Sequence, residues 1–206
     1  MKRRNVVFLS ISFLVVLLGG ILATIQIQRS RQTAHAAQGW EVIASPNTDL
    51  TSGLTDVKAI SSNNILAVGY TATKGLLVQQ WNGSQWIVTN PLTQYPDLQA
   101  NQIEVVSSNN IYIAGTSNNP ADKKPFIVHF NGSTWERMET PEVAGTYVSL
   151  NSITAISATD IWAVGAKDGA NSPLILHSDG NTWSVVENPS SFTGISGLTA
   201  TCANNS

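Results

Sequence analysis

Two hydrophobic patterns divide the chain. From Val6 to Ile25 nearly every residue is apolar (VVFLSISFLVVLLGGILATI), with Lys2-Arg3-Arg4 before the run and Arg29 and Arg31 after it. Twenty such residues make a helix of about 30 Å, the thickness of a bilayer's hydrocarbon core. Beyond residue 50 the apolar residues come in short runs closed by Ser, Asn, Asp and Gly, the signature of strands alternating with turns. A first strand, 54 to 60, meets Ser61-Ser62-Asn63-Asn64. A second, Ile65 to Gly69, shows no alternation, as expected of a strand covered on both faces. Leu76 to Trp81 and Gln85 to Thr89 then flank Asn82-Gly83, a pair that tolerates the positive φ of a tight hairpin.

This unit repeats. Trp40, Trp86, Trp135 and Trp183 are 46, 49 and 48 residues apart, and each precedes a proline: Pro46, Pro91, Pro141 and Pro189. QWNGSQW (80–86), HFNGSTW (129–135) and HSDGNTW (177–183) align without a gap, as do VKAISSNNILAVG (57–69), IEVVSSNNIYIAG (103–115) and ITAISATDIWAVG (153–165). A further copy begins at Leu198 (LTATCANNS). Four strands in about 48 residues match a β-propeller blade, whereas leucine-rich-type solenoids repeat at about 20 to 29 residues. The expected class is all-β: four-stranded propeller-type blades after an N-terminal transmembrane or signal helix. Residues 1–38 form the leader and 39–206 the repeat region, with units at about 40–86, 87–135 and 136–183 and a partial one at 184–206. Since propellers typically need about four or more blades, three complete units predict truncation, self-association or completion by missing blades.

Asp179-Gly180-Asn181-Thr182-Trp183 resembles the Asp-box ending D-G-x-T-W, and the two Asn-Gly-Ser-x-Trp copies are looser versions. Residues 40 to 206 thus resemble bacterial exported propeller repeats related to kelch and Asp-box (sialidase-type) proteins. They depart from the pattern where the serine directly precedes Asp179, and where Ala-Val-Gly or Ile-Ala-Gly stands in place of the kelch double glycine. The resemblance implies the fold and says little of activity, because propellers host many unrelated functions.

Charge sharpens the division. The formal balance of −2 averages +5 on residues 1–38, which carry no acid, with −7 beyond, where six basic side chains meet thirteen acidic ones. Nothing there supplies the basic surface that nucleic acid requires. The three positive residues before the apolar run favour an N-terminus inside the cell. Ala34-His35-Ala36 fits an A-x-A cleavage site. The chain is thus expected to be single-pass in the cell membrane with its C-terminal region extracytoplasmic, or secreted if cleaved after Ala36. One cysteine, Cys202, excludes an internal disulfide and thiolate metal clusters.

The candidate chemistry is sparse. His129 and His177 occupy equivalent third-strand positions where the first copy has Gln80, so a polar blade-edge position accounts for all three. The boundary tryptophans read as packing between blades. Asp160 and Asp179 read as turn formers. Glu104, Glu136, Glu139, Glu142 and Glu187 read as solvated strand-edge charges. Arg137 is the sole arginine beyond residue 38, where a sialidase-like site would need several. No nucleophile motif, phosphate loop or metal-ligand spacing appears, so no catalytic residue, metal or cofactor is assigned.

Alternate connections of a blade lie on opposite faces. The near-identical Ser-Ser-Asn-Asn and Asn-Gly-Ser turns share one face; the loops on the other differ strongly between copies. A ligand site is expected on that variable face, with Tyr70, Tyr95, Tyr147, Lys123, Lys124 and Asp168 as its side chains. The leading expectation is a non-catalytic extracytoplasmic binding or scaffolding module with a protein or carbohydrate ligand, held to the membrane through its leader. The alternatives are a piece of an exported propeller enzyme, such as a sialidase-like glycoside hydrolase, or an assembly factor for a membrane complex.

Overall fold

The computed structural model describes residues 41–46, 51–73, 75–89, 93–122, 124–145, 147–168 and 172–187. The expected leader helix, Trp40, Lys123 and the expected partial fourth unit from residue 188 onward lie outside them. The chain divides at Ile43/Ala44 into two units. Of the first, Glu41, Val42 and Ile43 are described, without regular structure and exposed. The second is all-β, with three four-stranded antiparallel blades of the propeller type.

The first blade is β1 (Ser52–Ser61), β2 (Asn64–Thr71), β3 (Gly75–Trp81) and β4 (Trp86–Thr89), paired in chain order. The second is β5 (Leu98–Ser107), β6 (Asn110–Ser117), β7 (Phe126–Phe130) and β8 (Trp135–Arg137); the third is β9 (Val148–Ser157), β10 (Asp160–Lys167), β11 (Ser172–Ser178) and β12 (Trp183–Val186). Among the described strands β6 is the most completely buried, at seven of its eight positions, as its unbroken apolar run requires. One backbone bond recurs where each second strand ends: Ala72, Asn118 and Asp168 donate to the carbonyls of Thr51, Asp97 and Tyr147, at 2.9, 2.8 and 2.9 Å.

Two apolar clusters hold the blades face to face. One joins Leu66, Val68, Leu76 and Val78 of the first blade to Ile103, Ile111, Phe126 and Val128 of the second, with Trp135 packed against it. The other joins Tyr112 and Ile127 to Ile153, Ile161, Leu174 and Trp183. Trp183 Nε1 donates to Met138 Sδ across that boundary at 3.3 Å. The repeated tryptophans at 135 and 183 are therefore wedges between blades.

The first strands of neighbouring blades are linked by side chains. In each first strand one residue is extra relative to its partner: Thr55, Asn101 and Asn151 sit at bulges where Gly69, Gly115 and Gly165 stand opposite. Two of these extra residues reach the next blade, Thr55 Oγ1 donating to Ala100 O at 2.9 Å and Asn101 Nδ2 to Leu150 O at 2.7 Å. The following residue accepts in return: Asp56 Oδ2 takes Ile103 N at 3.1 Å and Gln102 Oε1 takes Ile153 N at 2.6 Å. Lys58 and Glu104 close the ladder with a 3.1 Å ion pair, and Glu104 also accepts Ala155 N. Glu104 is accordingly a blade-to-blade link, not the solvated edge charge expected from sequence.

Candidate functional site

The expected polar blade-edge positions prove to be braces. Gln80 Nε2 donates to Asn64 Oδ1 at 2.9 Å, His129 Nε2 lies 2.8 Å from Asn110 Oδ1, and His177 Nε2 lies 3.0 Å from Asp160 Oδ1. Each pins a third strand to the start of its second strand. Tyr112 stacks on His129 with ring centroids 4.5 Å apart, and burial holds that histidine below its ordinary pKa. Asp160 also accepts Trp162 Nε1 at 2.7 Å, so it is more than a turn former. Asp179 is one, accepting Asn181 N and Thr182 N at 2.9 and 2.8 Å.

The variable face distributes the expected ligand residues over three places. Tyr70 lies in the first blade, half-buried and pairing with Gly53. Tyr147 is exposed and bound through its carbonyl to the amide of Asp168, whose φ of 53° and carboxylate beside Gly145 shape the third-blade loop. Tyr95 and Lys124 flank the second blade, and a cleft of about 270 Å³ opens there. The connection entering β5 forms one wall with Tyr95 and Asp97; the β6–β7 loop forms the other with Asn119 and Asp122; Arg137 closes the end.

Arg137 organises this cleft. Its two terminal nitrogens meet the Asp122 carboxylate at 2.7 and 3.0 Å, a bidentate pair whose side chains are only 17% and 15% exposed. Its guanidinium carbon also lies 5.7 Å from the Tyr95 ring centroid, within cation–π range. Lys124 points outward to Glu139 at 2.7 Å, an exposed pair of little energetic weight. Among the sequence candidates that lie in the described residues, only Tyr95 lines the cleft. Arg137, Asp122 and Asp97 were not singled out for it, although a lone arginine in an acidic repeat region was the available signal. Among the described residues no three His, Cys, Asp or Glu side chains converge as a metal site.

The Asp122 carboxyl experiences opposed effects. Burial pushes its pKa up, but the hydrogen bonds and charge of Arg137, with help from Ser117 and the Lys124 amide, outweigh it and hold the group below its ordinary 3.8. The pair's contribution is therefore complete above that ordinary value and disappears as pH falls through the lower folded one. Asp122→Asn should flatten the acid limb of a stability-versus-pH curve below about pH 4, read by urea denaturation. An acid limb identical in parent and variant would contradict the assignment.

No protein-family model and no curated sequence matches the chain. Solved structures do. One described as "YCF48 bound to D1 peptide" is 20% identical, with a TM-score of 0.50, over 71% of this chain and 43% of its own length. "YCF48 from Cyanidioschyzon merolae" is 16% identical at a TM-score of 0.48, over 68% of this chain and 41% of its own. The chain thus spans less than half the length of these structures, and what it shares with the first of them is the propeller fold.

Proposed function

We propose that this chain is a non-catalytic binding or scaffolding module exposed outside the cytoplasm, and that its Tyr95–Arg137 cleft receives a segment of a partner protein. The observation that carries this is the cleft's make-up: an aromatic ring, a braced arginine–aspartate pair and the Asp97 carboxylate around about 270 Å³. That space suits one or two side chains of a peptide, since pockets for small-molecule cofactors run from about 300 to 1,000 Å³. A sugar would need the open face of an aromatic ring, and the Tyr95 face already has Arg137 beside it. A structural neighbour described with a bound peptide supports a protein ligand over a carbohydrate. The basic apolar leader, Lys2 to Ile25, supports export and a membrane tether. The assembly-factor reading makes the same ligand choice and differs only in the partner's identity.

Peptides selected from a displayed random library on the folded domain provide the test. Tyr95→Ala should weaken them tenfold or more, about 1.4 kcal/mol, while Tyr147→Ala on the neighbouring loop leaves them unaffected. Selected peptides that bind the Tyr95→Ala and Asp122→Ala proteins as tightly as the parent would place the site elsewhere.

A further inference from the structure

The hairpin turn shared by the three blades holds an asparagine twice and an aspartate once, in nearly the same geometry. Asn82 Oδ1 accepts the amides of Ser84 and Gln85, both at 3.0 Å; Asn131 Oδ1 accepts those of Ser133 and Thr134, both at 3.0 Å. Asp179 Oδ1 accepts the amides of Asn181 and Thr182 at 2.9 and 2.8 Å. The glycine that follows has a φ of 94°, 95° and 93° in the three turns. Bonds from Thr182 N and then Asn181 N hold the Asp179 carboxyl below its ordinary pKa, so this turn favours a carboxylate over the neutral acid.

We propose that Asn82 and Asn131 are self-deamidating sites, each converting in the folded protein to the aspartate that the third turn already carries. The amide nitrogen of Gly83 attacks Asn82 Cγ. A C–N bond forms, the glycine amide proton passes to the leaving nitrogen, ammonia departs, and a five-membered succinimide remains. Water then adds to the Cγ carbonyl and the new C–N bond breaks, leaving aspartate and restoring the peptide amide. Gly132 and Asn131 react in the same way.

Three features of the turn promote these steps. Two amide donors rest on Oδ1, where negative charge develops as the nitrogen attacks, an arrangement of the oxyanion-hole kind. Among the described residues no acceptor holds the Gly83 or Gly132 N–H, and glycine has no side chain to obstruct the approach. Asn82, Gly83, Asn131 and Gly132 are all exposed, so water reaches the intermediate. Conversion at both sites adds two negative charges to the face of repeated turns without disturbing the hairpins, because the product has a working precedent in Asp179.

The full chain, folded and separately unfolded in urea, would be held at mildly alkaline pH, and its peptides mapped by mass spectrometry with aspartate and isoaspartate separated. Conversion at Asn82 and Asn131 in the folded chain should be no more than about threefold slower than in the unfolded one, since polarisation of the amide offsets the turn's lost freedom. Aspartate should form a larger share of the product in the folded chain, while Asn63 and Asn109, each followed by asparagine, stay unchanged. A folded chain that lags further than threefold, or yields the same product ratio as the unfolded chain, would overturn the proposal. The variant Asn82→Asp with Asn131→Asp should unfold at no lower a temperature than the parent; a clear loss would show that the turns reject the product.

Discussion

Gly115→Ala is expected to abolish the native fold or to cost about 4 kcal/mol or more, the range reserved for changes with a specific structural cause. Gly115 lies in β6 opposite the bulge in β5, and a Cβ there would be driven into the Gln99 carbonyl oxygen, far inside van der Waals contact. The obstacle is backbone, which has no rotamer to move away. Relief would require flattening the bulge, and the bulge is what turns Asn101 outward to Leu150 O. The substitution therefore attacks the pairing within one blade and the link to the next at once. Gly69 and Gly165 meet the carbonyls of Gly53 and Ser149 in the same way. Gly53→Ala, whose new methyl meets the movable Tyr70 side chain first, serves as the control and should cost about 1 kcal/mol or less. Urea denaturation followed by tryptophan fluorescence measures both. A Gly115→Ala protein within about 1 kcal/mol of the parent would refute the bulge argument.

Phe126→Ala should cost about 3 to 5 kcal/mol. Among the described residues Phe126 is the largest fully buried side chain, and it sits at the first-to-second blade boundary among Leu66, Val68 and Ile103. Its repeat equivalents are Leu77 and Leu174, also buried. Phe126→Leu should accordingly be milder, at about 1.5 kcal/mol or less, because a volume change of that kind can be repacked. The contrast separates cavity formation from any special need for an aromatic ring. Equal losses for the two variants would mean that the ring itself is required there.

The blades were largely legible in the residue order because their signals are local. An unalternating run such as Ile65–Gly69, a Ser-Ser-Asn-Asn turn and an Asn-Gly hairpin each encode a strand or reversal within a few residues. Their recurrence at near-constant spacing determines the number of units. The wedge role of Trp135 and Trp183 followed from the same spacing. The repeated glycine after Ala-Val or Ile-Ala was visible too, but its reason was not, since the bulge opposite it lies on another strand.

The cleft was hardly legible. Arg137 and Asp122 are 15 residues apart in sequence, and their pairing depends on how the β6–β7 loop folds back over β8. Tyr95 reaches them from the connection between blades, while Tyr70 and Tyr147, chosen by the same loop argument, belong to other blades. Glu104 looked like an ordinary strand-edge charge until the neighbouring blade placed Lys58 and Ala155 N beside it.

Sequence alone therefore determined the strands, the turns, their repetition and the contrast between a basic apolar N-terminal stretch and an acidic repeat region. All of these are written in nearest-neighbour chemistry and periodicity. Tertiary structure decided which polar side chains serve as links between blades and which gather around a cleft. That choice depends on contacts between residues as many as 51 positions apart, set by the facing of one blade against the next.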